Sequence, residues 1–503
     1  MVGGRQTREG YKPQSSEHAR EESDASVVPE KPTNSRVMPG ESVEGRGAAN
    51  GKPAQGHVRR AQDRESVTTQ LARVGERARK DKEERFNNLL SHVKVPLLRE
   101  AYLRLRKDAA AGVDGQTWEE YGEGLEERLR DLQDRVHRGS YHPQPVRRTY
   151  IAKPDGRQRP LGIPALEDKV VQMAAKMLLE PIYEAAFVGF SYGFRPGRSQ
   201  HRALDALWVA INRRSDWVLD ADIRSFFDTI DHEWMQKFLE HRIADRRMVR
   251  LVMKWLHAGV MEEGKLWKVE EGTPQGGIIS PLLANIYLHY VLDLWVQWWR
   301  KTQARGQVSI VRYADDFVMC IQYEDDVRKL RQALEGRLSK FALELHPEKT
   351  RLIRFGRFAR RDCVKDGRAR PETFDFLGFT HICAAGSDGR FRLMRRTSSK
   401  KRRAKLATLK EEVDRRKHWR VPEQHAWLSR VLRGHFNYYG VPGNWTALAQ
   451  FRQRLRRMWY RALQRRSQRG HWTASKRARF DERYALPKAR INHPWPYQRL
   501  SVP

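Results

Sequence analysis

The chain has 503 residues, with 96 Lys and Arg against 62 Asp and Glu, a formal net charge of +34. That surplus attracts a polyanion, so RNA or DNA is the expected partner. No long apolar run and no signal-like apolar start speak for a membrane or secreted design, and a cytoplasmic, nucleoid-associated protein is expected.

The hydrophobic fraction of 39% is low for a fully globular protein. Cys320, Cys363 and Cys383 are too widely spaced for a zinc ribbon or a disulfide framework, and are expected as reduced thiols in the core. Residues 1–62 hold Gly, Ser, Pro, Glu and Arg with hardly an aromatic. Such a stretch cannot bury enough apolar surface to offset chain entropy, which predicts disorder. Between 73 and 107, residues such as Phe86, Leu89, Leu90, Leu97, Leu98 and Ala101 fall at helical spacing. Gly112-Val113-Asp114-Gly115 reads as a turn, and 118–136 as one charged helix with Tyr121, Leu125, Leu129 and Leu132 on a face.

From Tyr141 the pattern changes. Two short basic strands flank Pro154-Asp155-Gly156, which predicts a hairpin whose Lys153 and Arg159 reach one phosphate group. Residues 168–183 read as a helix stopped near Pro181, and 191–199 as an aromatic loop in which Arg195 and Arg198 suit either a phosphate contact or a structural role.

An apolar strand then ends in Asp220-Ala221-Asp222, ahead of a helix with Asp231 as its N-cap. Asp220 and Asp222 share a face by strand periodicity, so spacing does not choose between them. The loop Gly272-Thr273-Pro274-Gln275-Gly276-Gly277 can bring backbone close to a ligand, and a long apolar helix is predicted over 282–299.

Next comes Tyr313-Ala314-Asp315-Asp316, flanked by apolar runs rich in Val, Ile and Phe, the pattern of a hairpin whose turn carries acids. Adjacent carboxylates resist joint ionisation, and a divalent cation removes that cost. Two ions about 3.5–4 Å apart would clamp the attacking and leaving oxygens of a phosphoryl transfer. The bland alternative is an ordinary Asp-containing turn.

A helix over 325–341, a strand over 343–355 carrying Lys349 and a short strand over 374–379 complete an α+β sheet layered with helices. From Arg395 the chain is read as basic and helical, with Trp419, Trp427, Tyr438, Trp459 and other aromatics interleaved. Basic side chains with stackable rings suit an RNA groove, although part of the rings must form a helical core. The tail from Ala485 is expected to lie extended along another domain.

Taken together, Arg159-Pro160-Leu161-Gly162-Ile163-Pro164, Phe194-Arg195-Pro196-Gly197-Arg198-Ser199, the Asp222 stretch, the Gly272–Gly277 loop, Tyr313-Ala314-Asp315-Asp316 and Phe376-Leu377-Gly378-Phe379 occur in the order of a bacterial group II intron reverse transcriptase and maturase. The chain resembles that family from about Glu84 onward, and Leu432-Arg433-Gly434-His435-Phe436-Asn437-Tyr438-Tyr439-Gly440 resembles its maturase domain. The resemblance implies a right-hand polymerase: fingers over 141–215, palm over 216–385, and a helical thumb and maturase domain over 386–470. Ahead of these lie the disordered 1–62 and a helical 63–140, and after them a basic tail over 471–503 that bears no His/Cys endonuclease cluster.

By that resemblance Asp222, Asp315 and Asp316 are catalytic and, with the Ile223 carbonyl, hold two Mg²⁺ ions. Lys153, Arg159, Arg195, Phe227, Gln275 and Lys349 would bind the incoming deoxynucleotide, with the Phe227 ring screening its 2′ position. Arg433, Tyr438, Arg454, Arg456 and Arg457 would bind RNA. The implied partners are the intron RNA, an RNA template, a DNA primer or target and dNTPs, and the oligomeric state stays open. Two alternatives remain open at this point: a maturase without polymerase activity, and a domesticated reverse transcriptase in defence or repair.

Overall fold

A computed structural model of the chain describes residues 55–152, 158–262, 265–267, 272, 276–386, 388–466 and 472–500. The expectation of disorder over 1–54 lies outside them. Helix α1 (Gln55–Lys80) nevertheless begins inside the stretch expected to be disordered. Its buried Val67, Val74 and Ala78 form a stripe C-terminal to that stretch, and the helix propagates backward from the packed end. Beside it lie α2 (Val95–Arg104), α3 (Trp118–Gly122) and α4 (Leu125–Arg138). The single helix expected over 118–136 is broken at Gly124, whose φ of +66° ends one helix and starts the next.

The basic hairpin forms as expected from β1 (Val146–Ala152) and β2 (Gln158–Ile163), with Ile151 opposite Arg159. Helix α5 (Leu166–Glu184), buried along most of its length, runs past Pro181, which sits in the last turn where little of the ladder remains to be broken. Ser199 caps α6 (Gln200–Arg214).

The central sheet begins with β3 (Trp217–Ala221). Asp231 accepts from Trp234 N at 2.8 Å and caps α7 (His232–Arg242) as expected; α8 (Arg246–Leu256) follows. Strands β4 (Val260–Glu262) and β5 (Lys265–Trp267) are too short for periodicity to reveal, and they extend the hairpin into a sheet ordered β2-β1-β4-β5. The long helix expected over 282–299 is two, α9 (Ser280–Leu288) and α10 (Leu294–Thr302), joined by a π turn at His289–Asp293.

Strands β6 (Val308–Tyr313) and β7 (Asp316–Ile321) form the acidic hairpin, and α11 (Glu324–Ser339) leads to β8 (Arg351–Arg354). The strand expected over 343–355 shrinks to β8, which leaves Lys349 in the turn before it. After α12 (Ala359–Lys365), the strand expected over 374–379 divides into β9 (Phe374–Phe376) and β10 (Phe379–Ala385), because Leu377 and Gly378 turn the chain at φ +48° and +80°. β11 (Phe391–Thr397) then pairs with β10, so helix resumes only at α13 (Ser399–Arg415).

The sheet ordered β6-β7-β3-β8 is antiparallel throughout. Leu219, Ile310 and Met319 enter one core, while Val218, Val311, Val318 and Ile353 enter another on the opposite face. Burial on both faces explains why these strands read as unbroken apolar runs. A third core joins α13, α14 (Val421–Tyr439) and α15 (Trp445–Gln464) around Leu432, Phe451 and Trp459. All three cysteines are buried and free.

Beyond α16 (Ala474–Arg483) the tail runs extended, as expected, before the short α17 (Pro496–Leu500). Arg452 of α15 donates to the Pro487 and Leu486 carbonyls, Asn492 N donates to Gly440 O at 2.8 Å, and His493 stacks on His201 of α6 at 3.7 Å. Among the described residues no helix is long and apolar enough to cross a membrane.

Candidate active site

Strand pairing sets the acids side by side. Ala221 lies opposite Phe317, so one further step along β3 brings Asp222 level with Asp316. Tyr313 pairs with Asp316 across a two-residue turn in which Ala314 adopts φ +58°. Asp222 and Asp316 line an open cleft of about 450 Å³ with Asp220, Lys349, Arg351 and Asp375.

Burial pushes the Asp315 carboxyl up, and the charge of Asp222 adds to it. For Asp316, desolvation by the surrounding protein and then repulsion from Asp315, Asp222 and Asp220 raise the value to about 7. Its surface still opens into the cleft, so a cation can reach it. Burial raises Asp220 to about 6, against the pull of Arg351 at 3.3 Å. Lys349 bonds Asp222 and supplies the nearest countercharge to the cluster. Among the described residues no three acid, imidazole or thiolate groups already converge as a metal site. Even so, several hard oxygen donors crowded enough to raise one another's pKa suit a divalent cation.

Lys349→Met removes that countercharge. The metal-free variant is expected to melt below the wild type, and added Mg²⁺ to raise its melting temperature more than the wild type's, by differential scanning fluorimetry. Equal Mg²⁺-induced shifts would disconnect Lys349 from the acids.

A few residues after Asp222 the chain makes the turn Phe226–Asp228, entered through Ser225 at φ +47°, with the Phe227 ring buried against Phe226. Gly272 packs on that turn: its φ is +87°, and a Cβ there would lie 2.8 Å from the Phe227 carbonyl. Gly276, at φ +120°, comes closer still to β2, since an added Cβ would meet Gly162 O at 2.5 Å. Only glycine fits either position, and the loop is thereby laced between the Phe227 turn and the hairpin. Gln275 and Lys153 lie outside the described residues. Arg159 is exposed on β2, and its charge acts on Asp315 in the direction that favours ionisation.

Arg195, expected at the incoming nucleotide, sits inside the fold. It is buried; Nε and Nη2 pair with Glu184, and Nη1 donates to Val188 O and Ser191 O at 2.6 and 2.9 Å. These bonds tie the loop that carries it to Glu184 and to the Val188 and Ser191 carbonyls. The backbone bonds that fix the turn after β3 use the Asp222 carbonyl and the Arg224 N–H, not the Ile223 carbonyl.

The residues expected to bind RNA also divide. Arg433, Arg454 and Arg457 are exposed. Tyr438 joins α14 to the turn between β9 and β10: its hydroxyl donates to Leu377 O at 2.8 Å and its ring lies against Phe379. Arg456 pairs with Asp481 at 3.5 Å and covers the Tyr460 ring, so it fastens α16 to α15. Sequence reasoning passed over Arg351 and Asp375, which line the cleft only because β8 and β9 carry them there. Their single charges on short strands gave no signal.

With this geometry, the likeness to known proteins can be placed on the chain. Residues 151–381, which span the hairpin, the central sheet and the acids, match the family model for reverse transcriptase (RNA-dependent DNA polymerase). Protein YkfC of Escherichia coli is 36% identical over 334 residues, 59% of this chain and 82% of that protein. The group II intron-encoded protein LtrA of Lactococcus lactis is 38% identical over 242 residues, 47% of this chain and 40% of LtrA, so the match spans less than half of that relative. The putative COX1/OXI3 intron 1 protein of Saccharomyces cerevisiae is 34% identical over 227 residues, 44% of this chain and 27% of that protein.

Proposed function

Because this chain belongs to the group II intron reverse transcriptase and maturase family, we propose that it is an RNA-directed DNA polymerase that copies intron RNA and binds that RNA to promote splicing and mobility. The observation that carries this reading is the crowding of Asp222, Asp315 and Asp316 at one end of a sheet, with Arg159 acting on the cluster from the hairpin.

Asp222, Asp315 and Asp316, with the Ile223 carbonyl, would hold two Mg²⁺ ions. When bound, the ions activate the primer 3′ hydroxyl and neutralise charge on the departing pyrophosphate. Lys349, which bonds Asp222, would be placed to meet the nucleotide phosphates beside that carboxylate. Arg159, and with it Lys153, contacts the triphosphate. The Phe227 ring, held by its buried turn, closes the space that a ribose 2′ hydroxyl would need. Gln275 lines the same nucleotide.

Primer extension on an RNA template, with and without Mg²⁺, run beside a splicing assay on the cognate intron, tests this. Mg²⁺-dependent extension together with protein-stimulated splicing is expected. Splicing without extension would establish a maturase that no longer polymerises, and extension without splicing a domesticated polymerase.

Exposed Arg454 and Arg457 would meet phosphates, whereas Arg456 is engaged within the protein. Replacing Arg454 and Arg457 by Ala should flatten the slope of log K against log salt by about 1.4, at roughly 0.7 per lost single-strand contact. Arg456→Ala should lower thermal stability and leave the slope unchanged. Filter binding across a salt series separates the two.

A further inference from the structure

The motif turn rests on a buried polar cluster. Arg312 and Asp293 are both fully buried, and Asn285 nearly so. Arg312 Nε donates to Asp293 Oδ1 at 2.7 Å and its Nη2 closes the pair on Oδ2; Nη1 donates to Asn285 Oδ1 and to the Ala314 carbonyl, each at 3.0 Å. Asn285 Nδ2 in turn donates to Gly193 O at 2.7 Å. Gly193 lies so close to the turn that a Cβ there would be 2.3 Å from Ala314 N. The backbone closes the same joint, with Tyr192 N on Arg312 O and Arg312 N on Phe190 O.

The π turn explains how one helical segment reaches Arg312 twice. On a regular helix of 3.6 residues per turn, Asp293 would point about 80° away from Asn285. The wider turn at His289–Asp293 takes up that difference. Burial lowers His289 to about 4, so the imidazole beside the pair carries no charge near neutrality.

The geometry points to Arg312, Asp293 and Asn285 as positioning residues that lock the Ala314 turn, set where Asp315 and Asp316 stand, and join that turn to the Gly193 loop of the fingers. A left-handed alanine is an uncommon conformation that persists only when its surroundings over-determine it. Here the Arg312 guanidinium holds the alanine's carbonyl while Gly193 closes on its N–H side. The inference rests on the polymerase reading only for its rate measurement.

Two variants of the full chain test it. Arg312→Lys keeps the charge but lacks the fork needed to hold Asp293, Asn285 and Ala314 at once. Its single-turnover extension rate is expected to fall roughly 100-fold, the penalty for acids displaced by about an ångström, with dNTP affinity unchanged. Arg312→Met with Asp293→Leu replaces the buried ion pair by apolar groups, a change that commonly preserves folding. It should melt close to the wild type, show the same loss of rate, and show a smaller Mg²⁺-induced rise in melting temperature. The last readout does not need polymerase activity, so it stands even if the wild type extends no primer. Wild-type rate and wild-type Mg²⁺ response in the paired variant would overturn the proposal. Should that variant not fold, an Arg312→Lys burst of reduced amplitude but unchanged rate constant would overturn it instead.

Discussion

Asp315→Asn combined with Asp316→Asn is expected to abolish primer extension on RNA, with a loss of more than roughly 1,000-fold, while RNA binding stays close to wild type. Isosteric amides keep the turn's shape and remove the anionic oxygens. They also remove the burial penalty and the repulsion that together raise both carboxyls in the native cluster. The metal-free variant should therefore melt at or above the wild-type temperature, yet gain less from Mg²⁺. Loss of activity with gain of metal-free stability is a signature that simple misfolding does not produce. Substantial residual extension would remove these two acids from the chemistry. RNA binding is expected to persist because Arg433, Arg454 and Arg457, the exposed residues proposed to meet RNA, lie on α14 and α15, outside the acidic sheet.

Phe227→Ala is expected to admit ribonucleotides, with the preference for dNTPs over rNTPs falling roughly 100-fold. The argument is steric. The ring is held against Phe226, and the turn behind it is pinned by Gly272, whose N–H donates to Ile230 O at 2.8 Å and whose carbonyl meets His232 Nε2 at 2.6 Å. A ring so confined cannot swing aside for a hydroxyl at low cost. Steady-state kcat/KM for matched dNTP and rNTP pairs measures the ratio. An unchanged ratio would end the screening role. A fall in dNTP incorporation without a rise in rNTP incorporation would mean that the ring serves the core alone. Removing most of a buried aromatic should also cost about 3 kcal/mol of stability, so both ratios are best taken below the variant's melting transition.

Local residue patterns specify the hairpin that carries the acids. Apolar β-formers on both sides of Asp315 and Asp316 specify strand-turn-strand through local spacing, and the central strand ending at Asp222 follows from the same pattern. The basic hairpin, the Asp231 cap and the core cysteines were legible for the same reason: each depends on residues close in the chain. Spacing leaves Asp220 and Asp222 equivalent, and register separates them: it sets Asp222 level with Asp316 and Asp220 beside Arg351.

Which basic and aromatic side chains bond within the protein depends on distant partners. Arg195, Arg456 and Tyr438 read as ligand-binding residues, since an arginine or tyrosine in a basic, aromatic stretch has the same spacing whether it meets phosphate or protein. Glu184, Asp481 and the Leu377 carbonyl claim them, and each partner is supplied by the fold. Arg312 is the converse. Beside the acidic motif it reads as one polar residue on a strand, and its role appears when the π turn carries Asp293 into line with Asn285 beneath it. Patterns of period two or 3.6 report which face of an element is buried, but not which distant side chain waits there, because a buried charge is satisfied by geometry that only the folded chain assembles.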